Sequence, residues 1–224
     1  MSIGLLLACA LAAQVPAAQA PTAQARTAHA VRVDQALRID GRLLEPVWRS
    51  APAISGLTQR EPDEGAPAPE NTEVRIAYDD DALYIGARMF SRDPTKIHAL
   101  VTRRDNAGSS EQLVISLDTY RDRRTAYSFA VTPAGVRLDY YHNSDSEGST
   151  DRDYNPVWEA SARVDAEGWV AEMRIPFAQL RFSPADAQEW GINVVRGGPV
   201  SPRLRARAVR RKTVGSFVYQ RDYD

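Results

Sequence analysis

Three arginines beside acidic or aromatic residues have the clearest potential for binding chemistry. Arg123 and Arg124 precede Tyr127 by a few positions, and Arg104 lies in the run Arg103-Arg104-Asp105. Their planar guanidinium groups can donate paired hydrogen bonds to hydroxyl or carboxylate groups of a ligand. In the alternative interpretation they form exposed ion pairs that fix turns and contribute little stability. The sequence leaves both roles open.

The four tryptophans fall into two groups. Core packing is predicted for the three that lie near the first strand or among apolar neighbours, namely Trp48, Trp169 and Trp190. Trp158 follows the polar loop 143–155 and lies close to Tyr154. It can stack on a ring of a ligand or pack in the core, because a large aromatic ring serves both purposes.

No pattern of catalytic residues is visible. A glycosidase needs two carboxylates that face one cleft, and no predicted strand presents such a pair. Glu172 lies between apolar residues in an alternating strand and is expected to face solvent. The sequence also lacks a Ser-His-Asp spacing and a phosphate-binding glycine loop. We therefore predict a binding protein and not an enzyme.

Acidic turns raise the question of a metal ion. Asp79-Asp80-Asp81 and the stretch from Asp145 to Asp153 supply oxygen ligands that suit calcium, but neither has the fixed spacing of a known calcium loop. Structural calcium is thus an open option, and no cofactor is predicted to be required. Haem ligation is not favoured, because Met89 and Met173 lie in core registers.

The elements that would position these residues are strands. Apolar residues alternate with period two in Val74, Ile76 and Tyr78, and the pattern resumes after the Asp79–Asp81 turn, which predicts a hairpin. Similar segments recur at 113–117, 127–131, 136–140, 158–164, 169–175 and 190–195. We predict an all-β fold, an antiparallel β-sandwich of immunoglobulin-like or jelly-roll type. Polar segments 55–71 and 143–155 are predicted to be surface loops.

Both ends of the chain differ from this domain. Residues 1–20 have the apolar run and the Ala18-Gln19-Ala20 cleavage signal of a signal peptide, although Cys9 also fits a lipoprotein processing site. The protein is therefore expected to be periplasmic or secreted. Residues 21–30 are predicted to be a flexible lead-in to the domain at 31–196. The formal net charge of -1 gives no reason to expect nucleic acid as a partner.

Residues 197–224 form a basic tail that diverges from the preceding pattern. Its arginines have no regular spacing, and a brief alternation appears only at Phe217 and Tyr219. A solvated tail is the simplest expectation, and a truncated or frame-shifted gene product would have the same appearance.

Several motifs resemble one known family. Ile39-Asp40-Gly41-Arg42 with Glu45-Pro46-Val47-Trp48, the hairpin from Thr72 to Gly86, and Gly168 to Phe177 are similar to the family 9 carbohydrate-binding modules, a DOMON-like group. The resemblance is closest to a branch found at the N-terminus of large uncharacterised bacterial envelope proteins, whose remainder is expected to be a β-barrel.

This resemblance implies a monomeric, exported carbohydrate-binding module without catalysis, associated with polysaccharide catabolism and with an outer-membrane β-barrel. The alternative is a structural or assembly module of an outer-membrane protein that has no sugar ligand. Characterised relatives hold a sugar between two tryptophans, but the corresponding loop here, Asn106-Ala107-Gly108-Ser109, has no aromatic residue. The predicted binding residues are therefore Trp158, Tyr154, Arg123, Arg124, Tyr127 and Arg104.

Overall fold

The computed structural model describes residues 26–60, 62–144, 150–197 and 215–220. The predicted signal peptide, including Cys9, lies outside these ranges, as does most of the basic tail. Within the described ranges no helix has the length and apolar character needed to cross a membrane.

Nearly all regular structure in these ranges is β-strand. The strands are β1 (Arg26–His29), β2 (Val31–Arg32), β3 (Thr72–Tyr78), β4 (Ala82–Phe90), β5 (Gln112–Asp118), β6 (Ala126–Val131), β7 (Arg137–His142), β8 (Thr150–Asp151), β9 (Glu159–Asp165), β10 (Gly168–Pro176), β11 (Ala187–Gly197) and β12 (Gly215–Gln220). The helical elements are α1 (Val47–Ser50) and two 3-10 turns at Pro94–Lys96 and Phe177–Gln179.

The strands form two sheets that pack face to face. The seven-stranded sheet has the order β1-β12-β11-β5-β6-β7-β8, and the five-stranded sheet has the order β2-β3-β4-β10-β9. Neighbouring strands are antiparallel except for the short parallel pairs β1–β12 and β2–β3. This arrangement confirms the predicted all-β sandwich.

Alternate residues of the two sheets fill the space between them. In β4 the side chains of Leu83, Ile85 and Met89 are fully buried in this core, as the period of two predicts. Trp169 and Trp190 are fully buried as well, which confirms their predicted packing role. Each such apolar side chain contributes about 1.5–3 kcal/mol through removal from water.

A second apolar layer covers the outer face of the five-stranded sheet. Trp48 on α1 is 3% exposed and packs there against Tyr84 of β4 and against apolar residues of the N-terminal segment 31–51, which confirms its predicted burial. Its ring lies directly over Gly86, where an added Cβ would be 2.7 Å from Trp48 Cε3. The ring can approach the sheet so closely only because this position is glycine.

Glu172 on β10 is the centre of a buried hydrogen-bond cluster in this layer. Its Oε2 accepts hydrogen bonds from three successive backbone N–H groups, those of Asp40, Gly41 and Arg42, at 3.0, 2.6 and 3.3 Å. Its Oε1 accepts a hydrogen bond from the indole Nε1 of Trp48 at 3.0 Å. This set, called the Glu172 cluster below, fixes the N-terminal segment to the sheet.

The expectation that Glu172 faces solvent is wrong, because the residue is 0% exposed. The alternation of β10 places its side chain on the outer face of the sheet, as expected, but the N-terminal segment covers that face. Burial raises the pKa of Glu172, while the hydrogen bonds from Gly41 and Asp40 act in the opposite direction. Two motifs of the family resemblance therefore meet at one buried carboxylate.

Two short strands lie in the segments that flank the predicted domain. Arg26–His29, within the predicted lead-in at 21–30, form β1. Gly215–Gln220, which include the alternation at Phe217 and Tyr219, form β12, and β12 pairs with both β1 and β11. Both strands depend on backbone pairing between distant parts of the chain, which short local patterns do not reveal. The domain bounds at 31 and 196 stay predictions.

Candidate ligand-binding site

Tyr127 and Tyr154 were predicted to contact a ligand, and the structure places both in the aromatic part of the core. Their ring centroids are 5.3 Å apart. The hydroxyl of Tyr154 donates a hydrogen bond to the carbonyl of Gln179 at 2.9 Å, and the backbone of Arg181 lies within hydrogen-bonding reach of the Tyr127 hydroxyl. Burial raises the pKa of both tyrosines. The two residues therefore position the segment 177–182 from beneath.

Trp158 packs in the core, which is the second of the two roles that the sequence leaves open for it. The residue is 1% exposed, and its ring meets Phe129 edge-on at a centroid distance of 5.2 Å. Its Nε1 donates to Asp139 Oδ1 at 2.8 Å, and Arg104 Nη2 donates to the same oxygen at 2.6 Å. Arg104 thus neutralises a buried carboxylate, which corresponds to the structural interpretation of this arginine.

Arg123 and Arg124 lie in the loop between β5 and β6, where the backbone is held by two aspartates. Asp118 Oδ2 accepts a hydrogen bond from the Arg123 N–H at 2.8 Å, and Asp122 Oδ1 accepts one from the Arg124 N–H at 2.6 Å. Arg123 has a backbone φ of 57°, in the left-handed region that residues other than glycine rarely adopt. These bonds hold a strained loop in one conformation.

This loop presents Tyr120 at a cavity of about 510 Å³ at one end of the sandwich. Three segments line the cavity, namely the β3–β4 turn, the β5–β6 loop and the turn after β10. The lining residues are Asp80, Asp81, Tyr120, Phe177, Ala178, Leu180, Arg181 and Phe182. We refer to this space as the end cavity. None of the predicted binding residues lines it, although Tyr127 and Tyr154 support one of its walls.

Several groups in the end cavity have the properties that ligand binding requires. Tyr120 is 52% exposed, and no other tyrosine, phenylalanine or tryptophan among the described residues between 27 and 197 is as exposed. Neither the Arg181 guanidinium nor the Asp81 carboxylate hydrogen-bonds or ion-pairs with another side chain of the described residues. Asp80, in contrast, is paired with Arg32 at 2.9 Å. The cavity therefore combines an exposed ring with unused donors and acceptors over an apolar floor.

Tyr120, Asp81 and Arg181 are not among the binding residues predicted from the sequence. Tyr120 lies in the loop after β5, the same loop that contains Arg123 and Arg124, two of the predicted binding residues. Asp81 was assigned to an acidic turn, and Arg181 lies four residues after the family motif that ends at Phe177. Their common location is created by the register between β4 and β10, in which Ala82 lies opposite Pro176.

The opposite end of the sandwich contains the loop 106–109, where the family resemblance implies one side of a sugar site. There Ala107 packs against an apolar strip formed by Val114, Ala130 and Leu138 on the outer face of the seven-stranded sheet. The second expected tryptophan position lies after Gly197, outside the described residues. The described part of this end thus supplies no aromatic pair for a sugar.

The acidic turn Asp79–Asp81 holds no metal site in the structure. Asp79 Oδ1 accepts hydrogen bonds from the backbone N–H groups of Asp81 and Ala82 at 2.9 and 2.8 Å, and its Oδ2 accepts one from the Tyr84 hydroxyl at 2.6 Å. Across the described ranges, no group of three or more His, Cys, Asp or Glu side chains is arranged to hold a metal ion. Residues 145–149 of the second acidic stretch lie outside those ranges. Met89 and Met173 are fully buried in the core.

The fold and the end cavity define a β-sandwich binding domain. A protein-family model described as "Carbohydrate family 9 binding domain-like" matches residues 39–197, which is most of the chain. The chain belongs to this family, as its motifs imply, and the family consists of non-catalytic carbohydrate-binding modules. Among curated proteins no relative matches significantly.

Solved structures agree with this fold. A family 9 carbohydrate-binding module from Caldicellulosiruptor kristjanssonii in complex with glucose is 17% identical, with a TM-score of 0.56 and coverage of 82% of this chain and 83% of that one. The complex of such a module with cellotriose is 17% identical, with a TM-score of 0.58 and coverage of 89% and 96%. A candidate carbohydrate-binding protein from Bacteroides uniformis is 12% identical, with a TM-score of 0.65 and coverage of 88% and 100%.

Proposed function

We propose that this protein binds a saccharide in the end cavity and carries out no reaction on it. The observation that carries the proposal is the exposed ring of Tyr120, which shares the cavity with Arg181 and Asp81, two charged groups that no side chain of the described residues pairs with. A sugar ring presents C–H groups to an aromatic face and hydroxyls to planar donors and acceptors. The cavity offers both kinds of contact, and family membership supplies the ligand class.

Rigidity of the cavity walls supports the same proposal. Asp118 and Asp122 fix the loop that carries Tyr120, and the Thr119 hydroxyl donates to the Arg181 carbonyl at 2.6 Å. Because both walls are ordered before a ligand arrives, binding loses less conformational entropy than it would with mobile loops.

A titration calorimetry experiment with cellotriose and a panel of mono- and oligosaccharides tests this function. The matched pair Arg181→Ala and Arg92→Ala locates the site, because neither side chain hydrogen-bonds or ion-pairs with another described residue. Arg92 follows the far end of β4 and so lies at the opposite end of the sandwich. We expect Arg181→Ala to weaken binding about tenfold, a value typical of a lost charged hydrogen bond. Equal effects of the two variants would exclude the end cavity.

No heat and no rise of the melting temperature with any saccharide would contradict the proposed function, since a ligand that prefers the folded state must stabilise it. That result would favour the alternative, a structural or assembly module of an outer-membrane protein. The panel therefore separates the two classes of function directly.

We further propose that the chain is exported and acts in the periplasm or outside the cell, within a larger envelope protein that includes a β-barrel. The support is the signal-peptide pattern of residues 1–20 and the resemblance to the envelope branch. N-terminal sequencing of the protein from fractionated cells tests export. A mature chain starting at Pro21 is expected, whereas an intact Met1 in the cytoplasm would contradict it.

A further inference from the structure

The three aspartates of the β3–β4 turn differ in how far their charges are compensated. Asp79 accepts three hydrogen bonds from its own turn and from Tyr84, and Asp80 is paired with Arg32 at 2.9 Å. Asp81 lines the end cavity, and no side chain of the described residues compensates its charge. The uncompensated negative charge of the turn is thus confined to Asp81.

Asp81 is also held rigidly. Its N–H donates to Asp79 Oδ1 at 2.9 Å, and its carbonyl accepts a hydrogen bond from the Phe177 N–H at 2.8 Å. Its short side chain therefore keeps the charge close to a fixed backbone position. The other charge in the cavity that no described side chain compensates, on Arg181, sits at the end of a long side chain that loses much rotamer freedom when it is fixed. The preorganised charge of the cavity is negative.

Tyr120 adds a second feature that favours a positive group. Its exposed ring lines the same cavity as Asp81, and the face of a tyrosine ring attracts a cation. A carboxylate and an aromatic face together recognise a protonated amine better than a neutral hydroxyl, because a hydrogen bond between charged groups is stronger than one to a neutral group.

From this arrangement we infer that the end cavity takes a saccharide with a protonated amino group, an amino sugar. The inference rests on the proposed function and names the ligand class of the same site. The ammonium group contacts the Asp81 carboxylate and the Tyr120 ring, and the sugar hydroxyls face Arg181.

Three trisaccharides with the same β-1,4-linked pyranose backbone test the inference. Cellotriose carries a hydroxyl at C2, the chitin trimer an N-acetyl group and the chitosan trimer a free amine. Calorimetric titration of the full chain at mildly acidic pH, where the amine is protonated, is expected to show the chitosan trimer binding about tenfold more tightly than cellotriose. Raising the salt concentration should reduce this ratio, because screening weakens an exposed charge contact.

Variants assign the preference to one carboxylate. Asp81→Asn should lower the ratio of affinities to about one, whereas the control Asp80→Asn should keep it within about twofold, because Arg32 already compensates that charge. If cellotriose or the chitin trimer binds as tightly as the chitosan trimer, or if Asp81→Asn keeps the ratio, the inference is overturned while the proposed function stands. If no trisaccharide binds, the inference is overturned, and the proposed function fails with it when the whole saccharide panel is also without effect.

Discussion

The Glu172 cluster and the end cavity both combine carboxylates with aromatic rings, but they use them differently. In the Glu172 cluster each carboxylate oxygen accepts hydrogen bonds, and the Trp48 ring is 3% exposed. In the end cavity the Asp81 carboxylate has no side-chain partner among the described residues, and the Tyr120 ring is 52% exposed. The first arrangement stabilises the fold, while the second leaves its polar groups available to a ligand.

The largest expected effect is on the Glu172 cluster. Glu172→Ala removes the acceptor of three backbone N–H groups and one indole N–H, all of them buried or partly buried. We expect the free energy of unfolding to fall by about 3 kcal/mol or more, since each unsatisfied buried donor costs about 1–3 kcal/mol. Urea unfolding measures the change. The control Glu159→Ala, at an exposed position of the adjacent strand, should change stability by less than about 1 kcal/mol.

The corresponding change in the end cavity should affect binding and not stability. Tyr120→Ala is expected to weaken saccharide binding at least about tenfold, because it removes the stacking face. Its free energy of unfolding should stay within about 0.5 kcal/mol of the native value, as for other exposed positions. A large loss of stability with unchanged affinity would show that the two regions do not differ as described.

A pH titration of stability sharpens the comparison further. Burial raises the pKa of Glu172 above its ordinary value of 4.5, so the folded protein takes up the proton more readily than the unfolded chain. The resulting contribution to stability is fully present at a pH below the pKa of Glu172 in the unfolded chain. It is lost as the pH rises through the pKa of Glu172 in the folded protein. The free energy of unfolding of the native chain, measured relative to Glu172→Gln, should therefore decline as the pH is raised from about 4 to 7. A rise over this range would contradict the direction of the shift.

The smallest effect is expected for Arg124→Ala. This residue was predicted to bind the ligand, but the end cavity is lined by other residues, and the loop uses the Arg124 backbone N–H. Affinity should change by less than about twofold and stability by less than about 0.5 kcal/mol. Calorimetry beside Arg181→Ala checks this, and a loss of affinity as large as that of Arg181→Ala would restore the original prediction.

Predictions from the sequence were accurate where a local pattern reflects one packed face. The alternation in 74–89 predicted the β3–β4 hairpin, and apolar neighbours correctly predicted the burial of Trp169 and Trp190. They were less accurate where a residue's surroundings come from distant segments. The position of Glu172 in the alternating pattern of β10 is the same as that of a solvent-exposed residue. It is buried only because the N-terminal segment covers this face of the sheet.

The binding residues show the same limit. Tyr154 lies in the polar loop 143–155 and Trp158 follows it, and both were candidates for ligand contact, but their rings pack against Tyr127 and Phe129. The exposed ring of Tyr120 lies three and four positions before Arg123 and Arg124, which were predicted to bind. Its significance depends on Arg181 and Asp81, which are far away in sequence. No local spacing brings these three residues together.

By itself the sequence determined the class of fold, most of the strands and the family, because these depend on side-chain periodicity and on motifs that are short and continuous. The tertiary structure alone decided which carboxylate is buried, which aromatic ring is exposed and which charges share a cavity. These properties depend on the pairing of β4 with β10 and on the N-terminal segment that covers the sheet. Burial and compensation of charge result from contacts between distant segments, and a linear pattern does not specify those contacts.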